Sequence, residues 1–204
     1  ITPPDTLGYF PPKLFGYDVA RARQLLAEAG YPNGEGWPGL ELTYNTSEDH
    51  RKIAVALQQM WKDALNIEVT LTNQEWKVYL DSVTQMDFQM ARRGWIGDYV
   101  DPNNFLDLFL TGGGNNNTGF ANPRYDDLIL HKAPQAATKE ERLAVFHEAE
   151  TMLMEQMPII PLYTYTSKHL IHPGVKGAPP NLMDWTNFKY VWLDKDWRPT
   201  GTGN

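Results

Sequence analysis

Between residues 40 and 71 the hydrophobic pattern changes period twice, and few folds admit that order of periods. Leu40, Leu42 and Tyr44 alternate as in a strand; Ile53, Leu57, Met60, Trp61 and Ala64 then recur at helical spacing; Ile67, Val69 and Leu71 return to alternation. Asn45-Thr46-Ser47 leads into the helix. A helical crossover of this length favours a parallel pair of strands with a right-handed connection. The rest of the chain extends the same α/β alternation. Asp18 caps a helix whose apolar positions are Val19, Ala22, Leu25, Leu26 and Ala29, and Gly30-Tyr31-Pro32 closes it. Asn33 to Gly39 is a loop, and a helix from about Glu75 to Gln85 carries Trp76, Tyr79, Leu80 and Val83 on one side. Asp87-Phe88-Gln89-Met90-Ala91 is strand-like, Asn103 to Leu110 reads as a short helix, and Thr111 to Gly119 as a flexible surface loop. Thr138-Lys139-Glu140-Glu141 is a capping box for a helix reaching about Gln156, with Leu143, Phe146, Ala149 and Leu153 inward. Pro158 to Tyr163 is an apolar strand whose prolines suit an edge or a strand start. There is no internal repeat and no low-complexity tract.

Charge and composition narrow the partners. A net charge of −7, a pI near 5.2 and the lack of any long Lys or Arg block argue against nucleic acid and against an anionic membrane surface. A small ligand, or one neutral overall, is expected. With 204 residues and 42% hydrophobic content the chain builds a real core as one large domain or two small ones. No run approaches the ~18 apolar residues of a membrane span. Ile1-Thr2-Pro3-Pro4-Asp5 has neither a basic nor an apolar signal region and reads as a cut rather than a natural start. The absence of cysteine removes thiol nucleophiles, Cys-based zinc sites and disulfides, without fixing the compartment. Seven Trp and ten Tyr exceed what a core of this size usually takes, so some rings line a binding surface.

The segment Arg92-Arg93-Gly94-Trp95-Ile96-Gly97-Asp98-Tyr99, continuing through Val100-Asp101-Pro102-Asn103-Asn104-Phe105, stands out as a site. It ends the strand-like run and places a carboxylate, an aromatic pair and two glycines where the chain must turn. Rigid strands hold such a place while its backbone and side chains stay free to touch a ligand.

Four stretches occur in the order seen in the oligopeptide-binding proteins of bacterial ABC importers. They are Tyr44-Asn45-Thr46-Ser47 with His50, Asn73-Gln74-Glu75-Trp76, Arg92 to Pro102, and Met157-Pro158-Ile159-Ile160-Pro161-Leu162-Tyr163. The chain resembles their C-terminal lobe, from the helix around Ala20 through Phe188-Lys189-Tyr190-Val191-Trp192. The resemblance implies an α/β, periplasmic-binding-protein-like lobe of type II (cluster C), with a mixed sheet flanked by helices. Residues 1–204 would form the C-terminal ligand-binding lobe of a larger two-lobed receptor, with 184–204 as a closing strand and tail returning toward the absent N-terminal lobe. It further implies a non-catalytic protein, periplasmic or lipid-anchored at the bacterial surface, with no cofactor and no metal. Its partners would be a short peptide, the other lobe and the importer's permease, and the isolated lobe would expose an apolar edge and self-associate.

The chemistry of peptide recognition assigns the parts. A peptide presents an α-ammonium, an extended backbone and variable side chains, so a general binder fixes the first two. Asp98 is the candidate for the ammonium, which matches the acidic residue of the family's motif; the alternative is a cap on the turn before Pro102. Gly94, Trp95, Ile96 and Gly97 offer backbone groups for strand addition; the alternative is a bulge or tight turn. Trp95 and Trp76 resemble the family's pocket-lining aromatics, Trp76 competing with a plain core role, and Tyr99 is a further ligand-binding candidate. His50 and Arg92 match positions that in short-peptide binders contact the ligand carboxylate; the alternatives are a solvent-facing helix residue and a surface ion pair. Asp81 to Gln85 lacks the basic residue that some of those binders carry, which leaves ligand length open.

Other constellations read as structure. Asp98 with Asp101, or Glu148 with Glu150, could be catalytic pairs, but the latter two lie on a helix with an apolar inward face and read as a solvated face. His169 and His172 lack further metal ligands, and Gly112-Gly113-Gly114 lacks the Lys of a phosphate loop. The competing class is a sugar-binding relative of the same transporter family, or a carbohydrate-active enzyme using the aromatic surface.

Overall fold

The computed structural model describes residues 1–179, 181 and 183–198. Asp18 caps α1 (Val19–Glu28) by accepting from the Arg21 amide at 2.9 Å. β1 (Leu40–Asn45), α2 (Glu48–Leu65) and β2 (Val69–Gln74) form the expected crossover unit, the strands parallel with Leu40 opposite Val69 and Asn45 opposite Gln74. Ser47 caps α2, which ends where Asn66 takes a left-handed conformation at φ +55°. α3 (Trp76–Thr84) follows, capped by Glu75, and β3 (Met90–Ala91) joins the other side of β1, also parallel. The sheet order is β2-β1-β3, so all three strands present their carboxyl ends at one edge.

Two apolar clusters support this frame. Leu42, Tyr44, Ala54 and Val69 are buried between sheet and helices, with Leu57, Trp61 and Met90 packed around them. A larger cluster gathers Tyr9, Leu106, Phe109, Phe120, Tyr125, Ile129, Phe146 and Leu153. It forms where α4 (Asn103–Leu106), α5 (Pro123–Asp127), a π-helical turn at Leu128–Lys132 and α6 (Ala133–Gln135) meet α7 (Lys139–Gln156). Each fully buried Phe or Leu there contributes about 1.5–3 kcal/mol. The capping box holds as expected: Glu141 N–H donates to the Thr138 hydroxyl at 3.1 Å, and Thr138 N–H to the Glu141 carboxylate at 3.2 Å.

The structure departs from the sequence reading at several places. α1 buries none of its residues, and it is tied down instead by Arg23 Nε donating to the Ala64 carbonyl at 2.7 Å. The helix expected to reach Leu110 tightens after Leu106 into a 3₁₀ turn at Asp107–Phe109. The loop after it is organised by Asn116, whose amide donates to the Leu110 and Phe120 carbonyls at 3.0 and 2.8 Å. Residues 158–163 form no ladder; Pro158 and Pro161 lack donors, and Ile160, Leu162 and Tyr163 are about half exposed. The closing segment is a 3₁₀ turn at Phe188–Tyr190 and then β5 (Trp192–Leu193), antiparallel to β4 (Val175–Lys176). Gly177, at φ +78°, admits no side chain, since a Cβ there would lie 1.9 Å from the Tyr190 carbonyl oxygen. The expected tail beyond Arg198 lies outside the described residues. Both pairing directions thus occur, but in separate sheets.

Glu150 overturns the expectation of a solvated face. It is fully buried and accepts the Tyr9 hydroxyl at 2.8 Å and the Thr2 amide at 3.0 Å, fastening the first residues to α7. Burial, and then the Glu150 charge, push the hydroxyls of Tyr9 and Tyr125 far above the usual tyrosine range.

Candidate functional site

Ligands of open parallel sheets sit outside the carboxyl ends of the strands, and here the segment after β3 leaves the sheet at that edge. Arg92 N–H donates to the Thr43 carbonyl at 2.8 Å, extending the ladder by one residue. The Tyr79 hydroxyl, from the buried side of α3, donates to the Arg92 carbonyl. Beyond that point pairing stops. Among the described residues, no backbone N–H or C=O of residues 93–97 makes a hydrogen bond. Such a row of free donors and acceptors is what an added strand requires.

The loop is nevertheless held in place, from α4. The Asn104 side-chain oxygen accepts Trp95 Nε1–H at 2.7 Å and the Asp98 amide at 3.3 Å. Gly97 lies against the Phe105 ring, where a Cβ would stand 3.0 Å from Phe105 Cζ. α4 in turn is fixed by Asp101, which accepts the Asn103 amide at 2.9 Å and receives Arg142 of α7 in a two-pronged pair at 2.7 and 2.9 Å. The turn-capping role weighed for Asp98 therefore belongs to Asp101. The Asp98 carboxylate is exposed and makes no hydrogen bond among the described residues. Its charge is felt nearby: burial first, and the Asp98 carboxylate second, push the Asp107 carboxyl above the usual range. Asn103 Nδ2 lies 3.3 Å from both Asp107 Oδ2 and the Tyr99 hydroxyl.

The cationic side of the site is arranged differently. Arg92 makes no ion pair with an acid among the described residues; its guanidinium meets the Tyr165 hydroxyl and stands 5.9 Å from that ring's centre. The same ring crowds the open side of Gly94, 3.3 Å from where a Cβ would be. His50 is half-buried rather than solvent-facing, and burial first, then the Arg92 charge, hold its imidazole below the usual histidine range. His50 Nδ1, Asn45 Oδ1 and Gln74 Oε1 are buried without hydrogen-bonding partners at this same edge. Trp76 is 53% exposed and stacked on Tyr79 at 6.0 Å, which rules out the core role. Tyr99 is half exposed and Ile96 is 81% exposed.

The constellations set aside on sequence have their own partners. Glu148 pairs with Arg124, and Asp101 with Arg142, so neither carboxylate is free for acid-base work. His169 Nε2 faces Asp184 Oδ1 at 2.5 Å; hydrogen bonds from Ser167 first and His169 second hold the Asp184 carboxyl below its usual range. His172 Nδ1 accepts the Gly174 amide at 3.1 Å, its ring edge-on to Trp197 at 4.4 Å.

Sequence reasoning missed Asn104, Tyr165, Tyr79 and the Asp101 to Arg142 tie. Asn104 lay inside the conspicuous motif, and the signal was a polar residue followed directly by Phe105-Leu106 at positions of core character. The pairing of Tyr165 with Arg92 spans 73 residues and leaves no local trace.

Residues 1–117 match the family described as bacterial extracellular solute-binding proteins, family 5 Middle. The chain is 46% identical over 163 residues to the periplasmic murein peptide-binding protein MppA of Escherichia coli K12, covering 79% of this chain and 30% of that protein. It is 38% identical over 184 residues to the oligopeptide-binding protein OppA of Bacillus subtilis 168, covering 86% and 34%. The solved structure of the Escherichia coli murein tripeptide binding protein MppA superposes with a TM-score of 0.81 at 41% identity, over 94% of this chain and 38% of that one. The chain thus spans about a third of the length of these relatives. With more than half its residues matched, and an α/β fold shared with that solved structure, the chain belongs to the bacterial extracellular solute-binding proteins of family 5.

Proposed function

We propose that this chain is one lobe of a two-lobed, non-catalytic receptor that captures short peptides for an ABC importer outside the cytoplasm. The observation that carries the reading is the free backbone of residues 93–97 beside an exposed carboxylate, Asp98, that has no partner of its own among the described residues. Main-chain pairing ignores side-chain identity, and a carboxylate at its end fixes register on the ligand's ammonium. The names of the MppA and OppA relatives, murein peptide-binding and oligopeptide-binding, point the same way.

In this reading Trp95, Trp76, Tyr99 and Ile96 form side-chain walls. Arg92 and His50 receive an anionic end, Arg92 exchanging the Tyr165 hydroxyl for a ligand carboxylate. The chain supplies one wall and a further lobe the other. Ligand contacts to both lobes favour the closed form, which a membrane permease then accepts. The parent is periplasmic or lipid-anchored, and transport involves no chemistry on the ligand. The test is mass spectrometry of small molecules released by denaturing the full-length protein. A ladder of short peptides is expected; a sugar or another non-peptide solute would refute the reading.

A further inference from the structure

Resting on that peptide reading, we infer that Asn104 is the positioning residue that aims the ligand loop. It touches no ligand itself and acts through Trp95 and Asp98. Asn104 is 3% exposed, so its side chain is held inside the protein, while Trp95 is partly buried against the larger core cluster and Asp98 is exposed. One oxygen serves two donors on the loop: Trp95 Nε1–H at 2.7 Å and the Asp98 amide at 3.3 Å. The first sets the rotation of the indole, and the second sets the backbone from which the Asp98 carboxylate projects.

Among the described residues nothing else holds these groups by hydrogen bonds. The backbone of residues 93–97 makes none among the described residues, and Arg93 is tied only through its side chain, to Asn117 at 2.6 Å. Asn104 is therefore the polar fastening between a free loop and a fixed helix. That helix is anchored through Asp101 and Arg142 to α7, whose inward face is fully buried. A loop held in its binding geometry has less ordering to do when ligand arrives, and affinity gains accordingly. Loss of the acceptor leaves two donors unpaired, one on the aromatic wall and one at the ammonium anchor.

The experiment uses the full-length protein and the tightest binder selected from an equimolar pool of free di- to pentapeptides. Calorimetry compares wild type, Asn104→Leu, Asn104→Asp and Asp98→Asn, with Asn104→Leu repeated in a Trp95→Phe background. Asn104→Leu is expected to weaken binding by about tenfold, the scale of one lost hydrogen bond. Asn104→Asp keeps an oxygen in place and recovers most of the affinity. In the Trp95→Phe background the loss shrinks, because one of the two donors is already gone. The Trp95 indole proton resonance moves upfield in Asn104→Leu. Wild-type affinity in Asn104→Leu while Asp98→Asn binds weakly overturns the inference alone. Equal losses in Asn104→Leu and Asn104→Asp also overturn it, by showing a packing role. Unchanged affinity in Asp98→Asn overturns the peptide reading, and the role of Asn104 with it.

Discussion

Arg142→Ala tests whether the ligand loop is anchored as described. Arg142 meets Asp101 through two hydrogen bonds at 2.7 and 2.9 Å, with side-chain exposures of 30% and 17%. A surface pair is worth about 0–1 kcal/mol, whereas removing one partner of a buried pair costs about 3–5 kcal/mol. This half-buried pair falls between, near 2 kcal/mol, and the guanidinium's place 4.6 Å from the Phe146 ring centre adds a fraction more. For a chain of this length each kcal/mol moves the thermal midpoint by about 2–4 °C, so Arg142→Ala should lower it by roughly 4–8 °C. Thermal unfolding of the 204-residue chain by circular dichroism reads the shift. Arg142→Lys should recover only part of it, because a single ammonium cannot form the two-pronged pair. A fall of less than about 1 °C, within what an exposed pair gives, would refute the reasoning.

Two further expectations concern charge and surface. The Asp107 carboxyl sits above its unfolded value, so it contributes stability that is complete below that value and is lost as pH rises through the folded pKa. Asp98→Asn removes one of the two causes, and carboxyl-carbon NMR should show the Asp107 midpoint moving down; an unmoved midpoint would mean that the two groups do not interact. Phe188, Tyr190, Trp192 and Leu193 are all more than half exposed, and the isolated chain should self-associate through them. Light scattering that stays monomeric at high concentration would contradict this.

The local grammar of the chain was legible because it is written within a few residues. The caps at Asp18 and Thr138, the lead-in to α2 at Asn45-Thr46-Ser47 and the strand-helix-strand periodicity each rest on neighbours in sequence, and the structure keeps them. Glu150 was misread because its neighbours along α7 say only that one face is apolar. Its true partners, Thr2 and Tyr9, are more than 140 residues away. Residues 158–163 look like a strand by composition, but a strand needs a partner edge, which residue type cannot supply. At the site the motif from Arg92 to Phe105 was conspicuous for its carboxylate and glycines. What the sequence could not show is that Asp101 takes the cap, leaving the Asp98 carboxylate without a partner among the described residues, and that Phe105 crowds Gly97.

The central claim is that Asp98 receives a peptide ammonium. Calorimetry on the full-length protein with one tight peptide, free and N-acetylated, against wild type and Asp98→Asn, measures it directly. The free peptide should bind wild type more tightly than Asp98→Asn by roughly 2–5 kcal/mol, and acetylation should erase most of that difference. Equal affinities for the free and acetylated peptide in wild type would contradict the account.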